Sequence, residues 1–545
     1  SSFKCSEVYS NIDSKLDVHN CSLKLFILLT KMKVSSLAFF LFANCASTAE
    51  SRLGEAEEES YNTMWMQAQP RAERRLEKFT EPCSGLVVHV SMAPPGGLEV
   101  MTSSSIIQEF QYLACETPDG RAYKVQAADE NFLLANFGTG LFISGETDIV
   151  FDESVVPVLL DLDSNEILSE GPPTLVKKAW AYSTRRNLII PHTTGEKTVL
   201  VVRVIAADNS TSFSEAELHD GVFGSDGDLV NLKSQFAACS HNKLNFIELP
   251  KKKKGKSTEI ENSVVTITVK ESTDVGGVRM RNAVTKELNY QFGVDHPSQL
   301  ASYVMYCLPW DAMVFPAFTT DNSWNTVYKD RWCTSVSAQM HEIGHNLGLQ
   351  HSGEGNNKYD DRSGMLGYSF GESDTKMCFN GAKSWQLGWY ADKRHAEIDV
   401  STTNRSYSGR LVPILDDPEK SGDPMIIKVK TGPNTDYFII FNRASGFNAD
   451  TKEGRDQVLV TNTDISNLSW LRAKLSATQT WSISVDRNSG LDDILNVKVN
   501  SINLLDGTNG HAEVAVYFTS SNCLLRKTLC RRKPGCGWQR NQCIR

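Results

Sequence analysis

The residues of this chain best suited to chemistry lie between His341 and His351, in the run HEIGHNLGLQH. On a helix, residues four apart stand one turn above each other on the same face, so His341 and His345 can direct both imidazoles at one metal ion. Gly348 is a position where such a helix can break without a Cβ penalty, and the turn brings His351 back as a third nitrogen ligand. Three nitrogens leave one position of a tetrahedral zinc open. In that arrangement the metal acidifies water, and Glu342, beside the first ligand, can take the proton as general base. The chemistry implied is attack on a peptide carbonyl. Chance would produce the full eleven-residue pattern roughly once in 10⁵ sequences of this composition, far less often than bare HExxH. A purely structural role for three histidines is disfavoured as well, because Leu347 and Leu349 already offer an apolar face and buried imidazoles need polar partners.

Fourteen residues after His351 stands Met365, in DDRSGMLGYSF. Its spacing is similar to that of the Met-turn that floors the zinc site of metzincin peptidases. Taken together, HEIGHNLGLQHS, GMLGYS and KMCFNGAKSWQLGWY resemble the gametolysin family, secreted metallopeptidases of green algae and other protists that act on cell-wall and extracellular-matrix glycoproteins. The likeness extends upstream through LVVRVIAADNSTSFSEAELHDGVFGSDGDLVNLKSQFAACS. It covers residues 195–390 well and the region to about Phe518 more loosely. The resemblance implies one catalytic zinc held by His341, His345 and His351, Glu342 as base and Met365 as the Met-turn residue. Some algal members carry glutamine at the first ligand position; histidine here favours zinc. Tyr368 follows Met365 by three residues, one more than the tyrosine that serves some metzincins as a fifth ligand, and stands as a candidate oxyanion donor. Latency through a cysteine thiolate on the open zinc position would fall to Cys83 or Cys115, which can instead pair with each other; the PRCGxPD signature of the matrixin switch is absent.

The elements that must hold this site read as α+β. Thr198–Ile205 (TVLVVRVI), Asn245–Leu249, Val264–Val269 and Tyr303–Cys307 are strand-like; Ser214 caps a helical run, and 228–238 and 275–292 carry helical spacing. Lys251–Lys254 with Lys256 reads as an exposed loop between strands. The expected fold is a metzincin-type catalytic domain over 187–395, preceded by a β-rich propeptide over 50–186. That unit is marked by short runs such as Leu86–Val88, Phe132–Leu134 and Val155–Leu160. Arg185-Arg186 offers either a cleavage point between the two or a solvated surface pair. Beyond 395 alternating strands at Pro424–Thr431, Tyr437–Asn442, Gln457–Val460 and His511–Phe518 predict a β-sandwich over 396–520. A basic, four-cysteine tail follows over 521–545. It is either a solvated knot or a contact for acidic polysaccharide.

Met32 opens a signal-like segment over 32–49, with Lys33, the apolar run Val34–Phe42 and a small-residue cleavage site, so residues 1–31 read as an upstream extension. The apolar run is too short to span a bilayer of about 30 Å, and no transmembrane segment is expected in the mature chain. Of thirteen cysteines, Cys5, Cys21 and Cys45 precede residue 50. The remaining ten fall into three groups, as disulfides of a secreted protein would, with connectivity open. Sequons at Asn209, Asn404 and Asn467 agree with a secretory route. A net charge of -9 with 22% charged residues points away from nucleic acid. The expected function is a secreted zinc endopeptidase acting on cell-wall or matrix glycoproteins. The competing reading is an inactive, matrix-binding protein on a metalloprotease scaffold, against which the intact ligands and base count.

Overall fold

The computed structural model describes discontinuous stretches between residues 76 and 177, nearly all of 193–520, and short stretches at 537–539 and 542–544. All belong to one unit, residues 75–545. The expected signal segment, Arg185-Arg186, Phe132–Leu134 and Tyr368 lie outside the described residues.

Two strands of the N-terminal part matter for the site: β1 (Cys83–Ser91) and β2 (Glu109–Glu116), paired antiparallel. The part beyond residue 193 is built on β3 (Gly195–Ile205), whose largely apolar, β-branched run is what a strand covered on both faces requires. Val199 and Val201 point into one core with helices α1 (Glu215–Phe223) and α2 (Leu232–Cys239), whereas Leu200, Val202 and Val204 point into the other. Strands β4 (Leu244–Ile247) and β5 (Val264–Thr268) lie parallel to β3 along one side. Helix α3 (Gly277–Phe292) packs Met280, Val284 and Leu288 into the second core. Strand β6 (Tyr303–Leu308) lies parallel to β3 on its other side, and of the next two strands in the chain, β7 (Ala317–Thr320) and β8 (Asn325–Lys329), β8 lies beside β6 and β7 outside it. Here β8 is parallel to β6, and β7 is antiparallel to β8.

The N-terminal strands add to this sheet. Residues 88–91 of β1 pair antiparallel with β7, Ser91 opposite Ala317 and Val88 opposite Thr320. A single fourteen-stranded sheet therefore crosses the boundary that the sequence suggests near residue 186. Lys253–Lys254 form a two-residue ribbon with Glu259–Ile260, where an exposed loop was expected.

Helix α4 (Val336–Asn346) carries the HExxH run and is followed by β9 (Ser352–Glu354) and the short helix α5 (Gly381–Gln386). The remaining chain forms two sheets. Strands β10 (His395–Asp399), β12 (Ile426–Lys430), β13 (Asp436–Asn442), β14 (Gln457–Thr463) and β15 (Ser469–Leu475) belong to one; β11 (Ser406–Leu411), β16 (Thr480–Val485), β17 (Asp493–Asn503) and β18 (His511–Ser520) form the other. Alternate residues of both, among them Ile427, Ile439, Val458, Leu495, Val497 and Val514, meet in a shared core, as sandwich strands must. The first of these sheets also takes in β9, which pairs parallel with β15.

Disulfides join Cys83 to Cys115, Cys239 to Cys378 and Cys307 to Cys333. Among the described residues no helix is long and apolar enough to cross a membrane.

Candidate metal centre

Helix α4 begins where the Ser335 hydroxyl accepts the Ala338 N–H, a conventional N-cap. All eleven of its residues are buried. Val336, Met340 and Ile343 face the first core, which leaves His341, Glu342 and His345 on the opposite side. Its C-terminal end is tied to the sheet by Asn346, whose amide donates to Thr319 Oγ1 (2.8 Å), the Thr320 carbonyl (2.8 Å) and the Asn325 carbonyl (3.0 Å). Gly348 then takes φ of 83°, a left-handed conformation that an L side chain resists, and the chain turns back toward the helix.

That turn sets the ligand chemistry. His345 Nδ1 lies 2.8 Å from the Leu349 carbonyl and His341 Nδ1 lies 2.7 Å from the Met365 carbonyl. A carbonyl oxygen can only accept, so each Nδ1 carries the proton and each neutral ring presents a bare lone pair at Nε2. The two Nε2 atoms stand 3.1 Å apart in a buried position. Two imidazoles on one tetrahedral zinc, each bonded at about 2.05 Å, would have nitrogens about 3.3 Å apart. The donor set therefore fits a divalent metal and does not suit an apolar core. His351 brings its ring centroid to 4.6 Å from that of His345 and 5.6 Å from that of His341, and Tyr359 meets its other side edge-on. Met365 is buried, and its backbone carbonyl is the group that orients His341.

Glu342 is buried, and its Oε1 accepts the Ser91 hydroxyl at 2.8 Å. Nearby, Tyr328 holds its phenol proton far above the ordinary range, through burial first and the Glu342 charge second. A fourth histidine, from outside the motif, enters the site. His89, on β1, stacks on His345 with centroids 3.9 Å apart, and ligand atoms of His89, His345 and His351 all lie within 4.8 Å of one another. Sequence reasoning passed over His89 and Ser91. The available signal was a lone imidazole inside the apolar strand run LVVHV.

Beside the turn that follows His351 lies a polar network around Asn380. Its amide donates to Asp361 Oδ2 (2.7 Å), Ser469 Oγ (2.9 Å) and Ser352 Oγ (3.1 Å), while its oxygen caps α5 at the Lys383 N–H. Three buried ionisable groups surround it. Desolvation pushes Asp321 up to about 8 and Asp361 up to about 6, and pulls Lys383 down to about 7.

Cys83 and Cys115 are bonded to each other, so neither carries a thiolate for a metal in this structure. Asn209, Asn404 and Asn467 are all exposed.

Residues 197–413 match the family model described as Gametolysin peptidase M11. No curated protein and no solved structure matches the chain.

Proposed function

Residues 197–413 belong to the gametolysin peptidase M11 family, a family of metallopeptidases, and from that premise we propose that this chain is a secreted, zinc-dependent endopeptidase. The observation that carries the reading is the pair of Nε2 lone pairs held 3.1 Å apart by two Nδ1–H donations to backbone carbonyls, beside a buried carboxylate. His341, His345 and His351 would hold one zinc. When bound, zinc supplies Lewis acidity toward a scissile carbonyl and acidifies water to a pKa near 7.

The remaining work belongs to the chain. Glu342 takes the proton from the attacking water and delivers it to the departing amine. The Met365 and Leu349 carbonyls keep His341 and His345 in the tautomer that ligates. Tyr368 remains a candidate donor to the developing oxyanion. The substrates we infer are cell-wall or matrix glycoproteins, with the basic tail over 521–545 a candidate contact for acidic polysaccharide and Arg185-Arg186 a candidate maturation point.

The test is casein cleavage by the processed enzyme beside Glu342→Gln, with metal content determined on both. We expect one zinc in each and a loss of turnover of about 10²-fold to 10⁴-fold in the variant, the usual contribution of a general base. Equal turnover would remove Glu342 from the mechanism.

A further inference from the structure

The third histidine lies beyond the HExxH helix, so its ring is placed by a different part of the chain from the other two. His341 and His345 each have a backbone carbonyl at Nδ1. The His351 ring is flanked by other rings: His345 at 4.6 Å between centroids, His89 at 5.2 Å, His341 at 5.6 Å and Tyr359 at 4.7 Å with the planes at 71°. The three flanking histidines are buried, whereas Tyr359 is half-buried. Among these rings it is therefore the tyrosine that stands between His351 and water. An edge-on pair at this distance is the arrangement that the charge distribution of two flat rings favours.

The turn that carries Tyr359 is fixed on both sides of it. After β9 the backbones of Glu354 and Asn357 exchange hydrogen bonds (3.0 and 3.1 Å), and the Tyr359 N–H donates to Asn357 Oδ1 (3.0 Å). Two residues on, the Asp361 N–H returns to the Ser352 carbonyl (3.2 Å), while the Asp361 carboxylate accepts from Asn380 (2.7 Å). Gly353 shows how closely the turn folds back. A Cβ there would stand 2.5 Å from the Asn357 carbonyl oxygen and 2.8 Å from Lys358 Cα, with Trp470 of β15 at 2.6 Å. The chain just before Tyr359 therefore lies directly on the residue two beyond His351. Lys358 brings its ammonium to 5.1 Å from the Tyr359 ring centroid, within range of attraction to a ring face, which gives the tyrosine a second contact that orients it.

We propose that Tyr359 is the positioning residue of the third metal ligand: its ring holds the His351 imidazole in the ligating orientation and covers the outer side of that imidazole against water. The hydroxyl takes no part in the reaction. The proposal rests on the three-histidine zinc reading of the previous section. Since the contact is made by a flat ring, phenylalanine should replace the tyrosine and an aliphatic side chain should not.

The experiment measures zinc affinity of the full chain by competition with a chromophoric chelator, for the parent and for Tyr359→Phe, Tyr359→Leu and Tyr359→Ala. Urea unfolding of the metal-free proteins and turnover of casein by the zinc-loaded ones are read alongside. We expect Tyr359→Phe to bind zinc within about 2-fold of the parent and to turn over casein like it. The Leu and Ala substitutions should weaken zinc binding about 10-fold, the upper end of what an aromatic pair contributes and the lower end of what losing a ligand's outer partner costs. Their metal-free urea midpoints should stay close to the parent's, which separates a loss of ligand orientation from a loss of fold; if the Ala protein does not fold, the Leu protein decides. A folded Leu variant that binds zinc like the parent would overturn the proposal. So would a Phe variant that keeps its zinc and loses turnover, because the hydroxyl would then be the working group. A parent chain that takes up no zinc would instead overturn the three-histidine site on which the proposal rests.

Discussion

Gly364 offers a quantitative test of how the ligands are held. A Cβ at this position would meet the backbone nitrogen of Asn380 at 2.5 Å and the carbonyl carbon of Phe379 at 3.1 Å. Comfortable contact needs about 3.5 Å, so the two chain segments must part by about 1 Å. The 378–380 segment is poorly placed to yield. Asn380 is fixed by three side-chain donations, Cys378 is bridged to Cys239, and the Cys378 carbonyl accepts from Met365 N–H at 3.1 Å. The displacement therefore falls on the Met365 turn. A shift of about 1 Å stretches the 2.7 Å contact between His341 Nδ1 and the Met365 carbonyl beyond hydrogen-bond range. We predict that Gly364→Ala lowers folding stability by about 2 kcal/mol, within the usual range for overpacking, and weakens zinc binding about 10-fold to 100-fold, the usual effect of removing a ligand's outer partner. Stability is read by urea unfolding of the metal-free protein and affinity by competition with a chromophoric chelator. Gly355→Ala is the control: it has φ of 61° and nothing within 4 Å of the added carbon, so it should lose about 1 kcal/mol to strain and keep its affinity. A Gly364→Ala protein that binds zinc like the parent would refute the claim that the Met365 carbonyl orients His341.

Two further outcomes follow from the polar network around Asn380. Asn380→Ala removes the cap of α5 and leaves buried partners on Asp361, Ser352 and Ser469 unsatisfied, and should reduce stability by about 3 kcal/mol or more in urea unfolding; a change below about 1 kcal/mol would mean the network is redundant. Asp321 is held up by burial to about 8 from an ordinary 3.8, so the fold favours its neutral form. Its contribution is whole below about pH 4 and is lost as pH rises through 8. The parent should therefore lose stability relative to Asp321→Asn between pH 5 and pH 8.5. An equal difference at both pH values would contradict the shift.

The elements that hold the site differ in how openly the sequence declares them. The parallel strands are legible because burial on both faces demands apolar runs, as in Val199–Val202, and α4 is legible because its candidate ligands stand at helical spacing. Strands β7 and β8 escaped notice. They are four and five residues long, rich in Thr and Asn, and separated by a turn at Asn322 with φ of 49°, so neither run length nor alternation announces them. His89 escaped for another reason: its significance arises from a pairing between residues more than two hundred positions apart, which local pattern cannot encode. The Met365 turn was visible by spacing, but its contribution is made by a backbone carbonyl, an atom every residue possesses.

The strand that follows the third histidine has its partner far downstream. Ser352–Glu354 runs alongside Ser469–Leu471, and the Ser469 N–H donates to the His351 carbonyl at 3.2 Å. That partner lies beyond residue 413, where the family match stops. The part of this chain that matches the family model is thus not closed on itself at residue 413. A chain cut at residue 413 would lose the strand beside which Ser352–Glu354 lies and the donor to the His351 carbonyl.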